Sequence, residues 1–165
     1  MRAEARTTVR EATPADGAEL ARLRWDFRVG EHPEQSRAGF FQDFGAWLAD
    51  AMASGRWVVA VAEAAPDALC GCMYLELVSK LPVPGKSRRM WGYITSCYVA
   101  SEQRGQGIGR KLLDLLINAA RARGLEFLIL WPSEEAVSFY RRAGFRPVSE
   151  VYAGTDDEPP LALAL

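Results

Sequence analysis

Arg104-Gly105-Gln106-Gly107-Ile108-Gly109 places three glycines at alternate positions, between a strand-like run and a helix-like one. Glycine lets a backbone turn sharply and leaves its N–H groups uncovered by side chains. The amides of such a loop and of the helix it feeds point the same way, and the helix dipole adds about half a positive charge at that end. The chemistry that suits this arrangement is the holding of an anion. Two familiar anion loops do not fit the letters. A P-loop needs Gly-Lys-Ser/Thr, whereas Gly109 is followed by Arg110, Lys111 and Leu112. A dinucleotide fingerprint begun at Gly105 and Gly107 would need its third glycine where Arg110 stands, and too little chain follows for a doubly wound sheet.

Arg104, Gly107 and Gly109 do meet the pattern Arg/Gln-x-x-Gly-x-Gly/Ala. Further on, Ala136, Tyr140, Gly144 and Phe145 fit Asn-x-x-Ala-x-x-x-Tyr-x-x-x-Gly-Phe, with Ser133 in place of the Asn. In both motifs, in this order, the chain resembles the GCN5-related N-acetyltransferase (GNAT) family. The resemblance implies an α/β (α+β) fold: a mixed, mostly antiparallel sheet of about seven strands, splayed between the fourth and fifth and flanked by about four helices. It implies acetyl-CoA as cosubstrate, its diphosphate on the amides of Arg104, Gly105, Gln106, Gly107, Ile108, Gly109 and Arg110. Its pantetheine arm would lie as an added strand beside Cys97, Tyr98 and Val99, with Ser133, Ala136 and Tyr140 completing the cofactor contacts. By the same resemblance the Val99 N–H polarises the thioester oxygen.

The implied reaction moves the acetyl group to a primary amine by direct attack in a ternary complex. An amine with a pKa of about 10 must lose a proton, and a thiolate of pKa about 8.5 must gain one. Tyr140 matches the family's general acid. Some members carry a glutamate on the fourth strand as base, where this chain has Tyr93, Ile94, Thr95 and Ser96. Glu31, His32, Glu76 and a water chain to bulk solvent remain open as the base, and Glu31 joins Tyr140 and Val99 in the expected catalytic set. A non-catalytic acyl-CoA-binding module and an O-acyltransferase are the competing readings.

Composition limits the rest. The 165 residues are 49% apolar, which suits one domain over 1–165 with a proper core. A net charge of −1 and a pI of about 5.9 remove the broad cationic field of a nucleic-acid binder. The expected acceptor is therefore a small-molecule or peptide amine, with neither nucleic acid nor membrane as partner and the protein a monomer or homodimer. Met1 to Ala5 has no apolar stretch of a leader and no run is long enough to span a bilayer, so the expected location is cytoplasmic. Three cysteines give no disulfide framework, Cys70 and Cys72 reading as small core residues, and a single histidine, His32, leaves no set of metal ligands.

The elements that must position these residues follow from periodicity. Thr7 to Arg10 reads as a strand, with Asp16 as N-cap of a helix to about Arg28 whose Leu20, Leu23 and Phe27 share a face. A second helix runs to about Ser54, with Gly39 and Gly45 as points where it could bend or break. Trp57 to Glu63 and Leu69 to Val78 read as a hairpin, followed by a basic loop, Ser79 to Arg89. A solvated connection is favoured for that loop over contact with an anion. The central strand, Tyr93 to Val99, leads through the glycines into a helix from Gly107 to Arg123 that ends on Gly124. Glu126 to Trp131 reads as a fifth strand, a fourth helix ends on Gly144-Phe145, and Pro147 to Tyr152 with Leu161 to Leu165 reads as a last hairpin.

Overall fold

The structure, a computed structural model, describes residues 7–29, 36–66, 68–85 and 89–152. Strands β1 (Thr8–Glu11), β2 (Trp57–Ala65), β3 (Ala68–Ser79), β4 (Met90–Val99) and β5 (Leu128–Ile129) form one sheet in the order β1-β2-β3-β4-β5. The first four pair antiparallel. Between β4 and the start of β5, Glu126 N–H donates to Met90 O and Gly92 N–H to Phe127 O. Both chains advance in the same direction along that edge, so the pairing is parallel and the sheet mixed. Among the described residues, five helices accompany it: α1 (Gly17–Arg28), α2 (Arg37–Ala53), α3 (Ile108–Ala122), α4 (Val137–Arg142) and α5 (Val148–Tyr152).

Residues up to Leu128 make one compact unit and those from Ile129 a second. In the first, α1 and α2 cover one face of the sheet, with Leu20, Leu23, Phe44 and Leu48 packed on Val59, Val61, Cys72 and Tyr74. The other face carries Leu75 and Ile94 and receives α3, whose Ile108, Leu112, Leu113 and Leu116 are buried at the three-to-four spacing of one stripe. Close packing there requires glycine at 92, because a Cβ would lie 2.6 Å from the Leu75 and Leu128 side chains. Asp16 holds the N-cap position of α1, as expected, but its side chain makes no capping bond there. Its carboxylate instead takes two hydrogen bonds from Arg10 of β1, each 2.8 Å, and one from the Thr13 N–H. The Arg10 guanidinium, helped by that amide, holds the Asp16 carboxyl at about 2 against the cost of its burial.

Three expectations change. Gly39 and Gly45 do not interrupt α2, which is continuous. Gly39 lies where Ser36 Oγ caps the helix by accepting its N–H, and a Cβ there would sit 2.9 Å from that oxygen, so this glycine serves the cap. The fifth strand is only Leu128–Ile129. Pro147 to Tyr152 is not a strand: Val148–Tyr152 is the short helix α5, begun by Pro147, whose carbonyl accepts from the Glu150 and Val151 N–H groups. Leu161 to Leu165 lies outside the described residues.

Candidate active site

β4 is not a regular strand. Cys72 pairs with Tyr98 and Tyr74 with Thr95, so Met73 alone on β3 faces both Ser96 and Cys97 on β4. This is a β-bulge. Ser96 takes a left-handed φ of 54°, the one positive φ at a non-glycine among the described residues. Such a backbone costs on the order of 1 kcal/mol or more and persists where neighbours hold it. Arg24 of α1 is one of them, its Nη1 donating to Ser96 Oγ at 2.9 Å. The sequence carries no sign of this bulge, since serine is not a residue that announces a left-handed backbone.

Past the bulge the ladder resumes, with Tyr98 opposite Cys72 and the Ala100 N–H on Cys70 O at 2.8 Å. Alternation then turns the Val99 backbone to the opposite edge of β4. There its carbonyl accepts from Arg104 Nε at 2.9 Å. Arg104, expected to touch cofactor, therefore has a structural duty as well: it ties the end of β4 to the glycine loop. Gly105 and Gly107 follow with φ of 77° and 74°, both left-handed, and nothing within 4 Å of where a side chain would begin. Gly109 is already inside α3 with no positive φ. Gly107 is the N-cap of α3, and Lys111 is the first residue to donate back, to Gly107 O. The N–H groups from Gly105 to Arg110 thus have no backbone acceptor among the described residues. They lie at the positive end of a 15-residue helix. Of the side chains, Ile108 is buried in the core and Arg110 pairs with Asp114, so what the segment offers a ligand is chiefly backbone.

Groups near the bulge are held neutral. Burial pushes the Cys72 thiol up to about 12 and raises the Tyr74 hydroxyl, and burial beside Asp26 raises Tyr98. None is suited to act as a base near neutral pH. The Tyr74 hydroxyl has no hydrogen-bond partner among the described residues by distance and angle, its polar neighbour being the Cys72 thiol, at most a weak one. The basic loop has a structural explanation for two of its cations: Lys80 and Arg89 both bind Glu126, at 2.6 and 2.8 Å. Lys86 and Arg88 lie outside the described residues, as do Glu31 and His32.

In the second unit Ser133 precedes a 3-10 turn over Glu134–Ala136 and accepts the Ala136 N–H through its carbonyl. Tyr140 on α4 is 7% exposed. Its carbonyl accepts from the Phe145 N–H, Arg141 O accepts from Gly144, and Gly144 has φ 96°. These are the two bonds of a Schellman cap, and Tyr140 and Phe145 supply its apolar contact with rings 5.7 Å apart. An apolar cleft of about 690 Å³ between α1 and α2, lined by residues such as Pro14, Ala21, Phe41, Leu48 and Met52, has no titratable side chain in its wall and shares no residue with β4 or the glycine loop.

The fold and the glycine-loop geometry agree with what comparison shows. The model of the acetyltransferase (GNAT) family matches residues 18–145, and the chain belongs to that family. It is 36% identical over 72 residues to N-alpha-acetyltransferase 30 of Schizosaccharomyces pombe, covering 39% of this chain and 48% of that one. It is 36% identical over 63 residues to the uncharacterized N-acetyltransferase YobR of Bacillus subtilis, covering 36% of this chain and 26% of the other. The matches thus span about half or less of these relatives. Among solved structures, a predicted acetyltransferase of Clostridium acetobutylicum, determined with acetyl-CoA, superposes with a TM-score of 0.69 at 21% identity over 94% of this chain and 96% of that one. Glucosamine-6-phosphate N-acetyltransferase of Arabidopsis thaliana gives 0.69 at 19% identity, over 86% and 92%. At these identities the structural likeness establishes the fold.

Proposed function

We propose that the protein transfers acetyl from acetyl-CoA to a primary amine of a small molecule or peptide. The observation that carries this reading is the row of unpartnered N–H groups from Gly105 to Arg110, with open space over both left-handed glycines. That row suits a diphosphate: its N–H groups are free of backbone acceptors among the described residues and stand at the positive end of α3. Acetyl-CoA supplies an activated thioester. Everything else in the reading belongs to the chain's own residues. The amides of Gly105 to Arg110, with Arg104 holding the loop to Val99, bind and fix the position of the cosubstrate. The bulge at Ser96 and Cys97 and the edge of β4 at Val99 offer backbone groups to an extended amide-bearing arm, and the Val99 N–H donates to the carbonyl oxygen as negative charge grows on it.

Tyr140 is assigned the proton for the leaving sulfur, and Ser133 and Ala136 further contact with the cosubstrate. These roles rest on the family motif. For the base, Glu31 keeps its place by position in the family loop, and the neutral Cys72 thiol and the Tyr74 and Tyr98 phenols are poor competitors. The test is release of free coenzyme A against amino acids, polyamines, aminoglycosides and peptide N-termini. Turnover with one amine class supports the reading. Tight acetyl-CoA binding with no release from any amine would replace it with that of a binding module.

A further inference from the structure

On the sheet face covered by α1 and α2, the buried core runs as far as Val59, Cys72 and Tyr74. The next residues along, Trp57, Glu76 and Tyr93, are only half-buried. Trp57 stands directly opposite Glu76 across β2 and β3, and Tyr93 directly opposite it across β3 and β4. Directly opposed residues in an antiparallel pair share a face with Cβ atoms about 5 Å apart, so this carboxylate has an aromatic side chain on either flank. The aromatic lining continues outward. Trp47 of α2 meets Trp57 edge-on at 5.2 Å, and Trp91, opposite Val78 on the same face, stacks on Phe127 at 5.8 Å.

Glu76 has no ion pair or hydrogen bond among the described residues. The cation that shares its face, Lys80, is already committed to Glu126 and sits over the Phe127 ring at 5.1 Å. A carboxylate left without a cation between aromatic rings is the arrangement that attracts an ammonium group: the charge supplies attraction, and the ring faces add a quadrupole term that tolerates alkyl groups on nitrogen. An anionic or purely apolar ligand would leave the carboxylate without compensation.

We propose that Trp57, Glu76 and Tyr93 form a subsite for a second cationic nitrogen of the acceptor. This rests on the proposed transfer reading, in which the thioester lies along β4 from the bulge to Val99, so that the nitrogen attacking it is placed beside the bulge. Tyr93 precedes Cys97 by four residues, and at about 3.3 Å per residue, shortened by the bulge, the two points lie about 10 Å apart. The acceptor class is then a linear di- or polyamine whose terminal nitrogens span that distance. A monoamine, or a diamine too short to reach, would occupy one end only.

Two measurements test it on the full-length protein. In the first, without acetyl-CoA, tryptophan fluorescence is titrated with diaminooctane, diaminopropane and octylamine. Diaminooctane is expected to bind at least tenfold more tightly than octylamine, and Glu76→Gln to remove that preference. Trp57→Leu is expected to weaken diaminooctane by roughly three- to thirtyfold. In the second, coenzyme A release is followed with the same amines, and Glu76→Gln is expected to raise KM for diaminooctane far more than it lowers kcat. No preference for the long diamine in the wild type, or a preference that survives Glu76→Gln in a variant of unchanged melting temperature, overturns the subsite. An equal fall in kcat for every amine also overturns it and makes Glu76 a base instead. If no amine releases coenzyme A while diamine binding still depends on Glu76, the transfer reading fails and the cation site stands.

Discussion

Tyr140 shows how one side chain can serve packing and chemistry through different atoms. Its ring closes the cap of α4 against Phe145 and lies edge-on to Phe139 at 4.9 Å. Its hydroxyl is the part the proposed mechanism needs. Tyr140→Phe is expected to keep the melting temperature and acetyl-CoA affinity while turnover falls by about ten- to a thousandfold. Full turnover in that variant would return the residue to packing alone. Gly107 is the complementary case, valuable for what it lacks. With φ at 74° and open space above it, Gly107→Val strains the start of α3 and covers the amides proposed to hold the diphosphate. Calorimetry should show acetyl-CoA affinity reduced by at least about tenfold, a loss of about 1.4 kcal/mol. Tyr140 and the glycines were legible from spacing, because each is tied to a motif of fixed length. Ser96 was not: its conformation is imposed by the count of residues on β3 opposite it, which no local pattern on β4 reveals.

At the scale of elements, glycine termini read well and strand ends read poorly. α3 closes as Gly124 predicts: with φ 70° it donates to Arg121 O while Leu125 donates to Ala120 O, the two bonds of a Schellman cap. By contrast Pro147 to Tyr152 has a strand-like composition but forms a helical turn. Over so few residues, alternating apolar letters do not outweigh a proline that starts a turn. Asp16 was legible as a helix-start residue, though not in its task, because its partner Arg10 comes from β1. The joint between β1 and α1 has a pH signature. The Asp16 carboxyl lies at about 2 in the fold against about 3.8 ordinarily, so its stabilisation is complete above pH 4 and is lost as pH falls from about 4 to about 2. Asp16→Asn should cost on the order of 1–3 kcal/mol at neutral pH, where it leaves Arg10 with Glu63 as its remaining carboxylate partner, and should flatten that acid limb in melts taken from pH 5 downward.

For the molecule as a whole, the family match over residues 18–145 and the mixed sheet make acetyl-CoA binding the property most directly open to measurement. A ligand that binds only the folded chain stabilises it by about 2.7 kcal/mol at a hundred times its Kd. For a chain of 165 residues this corresponds to a rise in Tm of roughly 5–11 °C. Acetyl-CoA should produce it, and desphospho-acetyl pantetheine, which keeps the thioester but lacks the diphosphate, should not. Equal shifts from both would move the main anchor away from the glycine loop. The fold was legible at this scale because two spaced motifs and a helix-strand order constrain a whole architecture. The proposed cation subsite was not, because Trp57, Glu76 and Tyr93 lie on three strands and are brought side by side only by register.

The bulge on β4 also makes the strand's reading frame separable from its function. Before it the residues facing α1 and α2 are odd-numbered, Tyr93 and Thr95, and after it Tyr98 takes that side, its ring 5.3 Å from Phe27. Deleting a single residue inside a strand ordinarily turns every later side chain inside out. Here removal of Ser96 would restore plain alternation, leaving Tyr93, Thr95 and Tyr98 on their present face. The chain thus contains a place where a codon can be lost without scrambling the core, and what would vanish is the one irregularity that sets the edge of β4 apart from an ordinary strand.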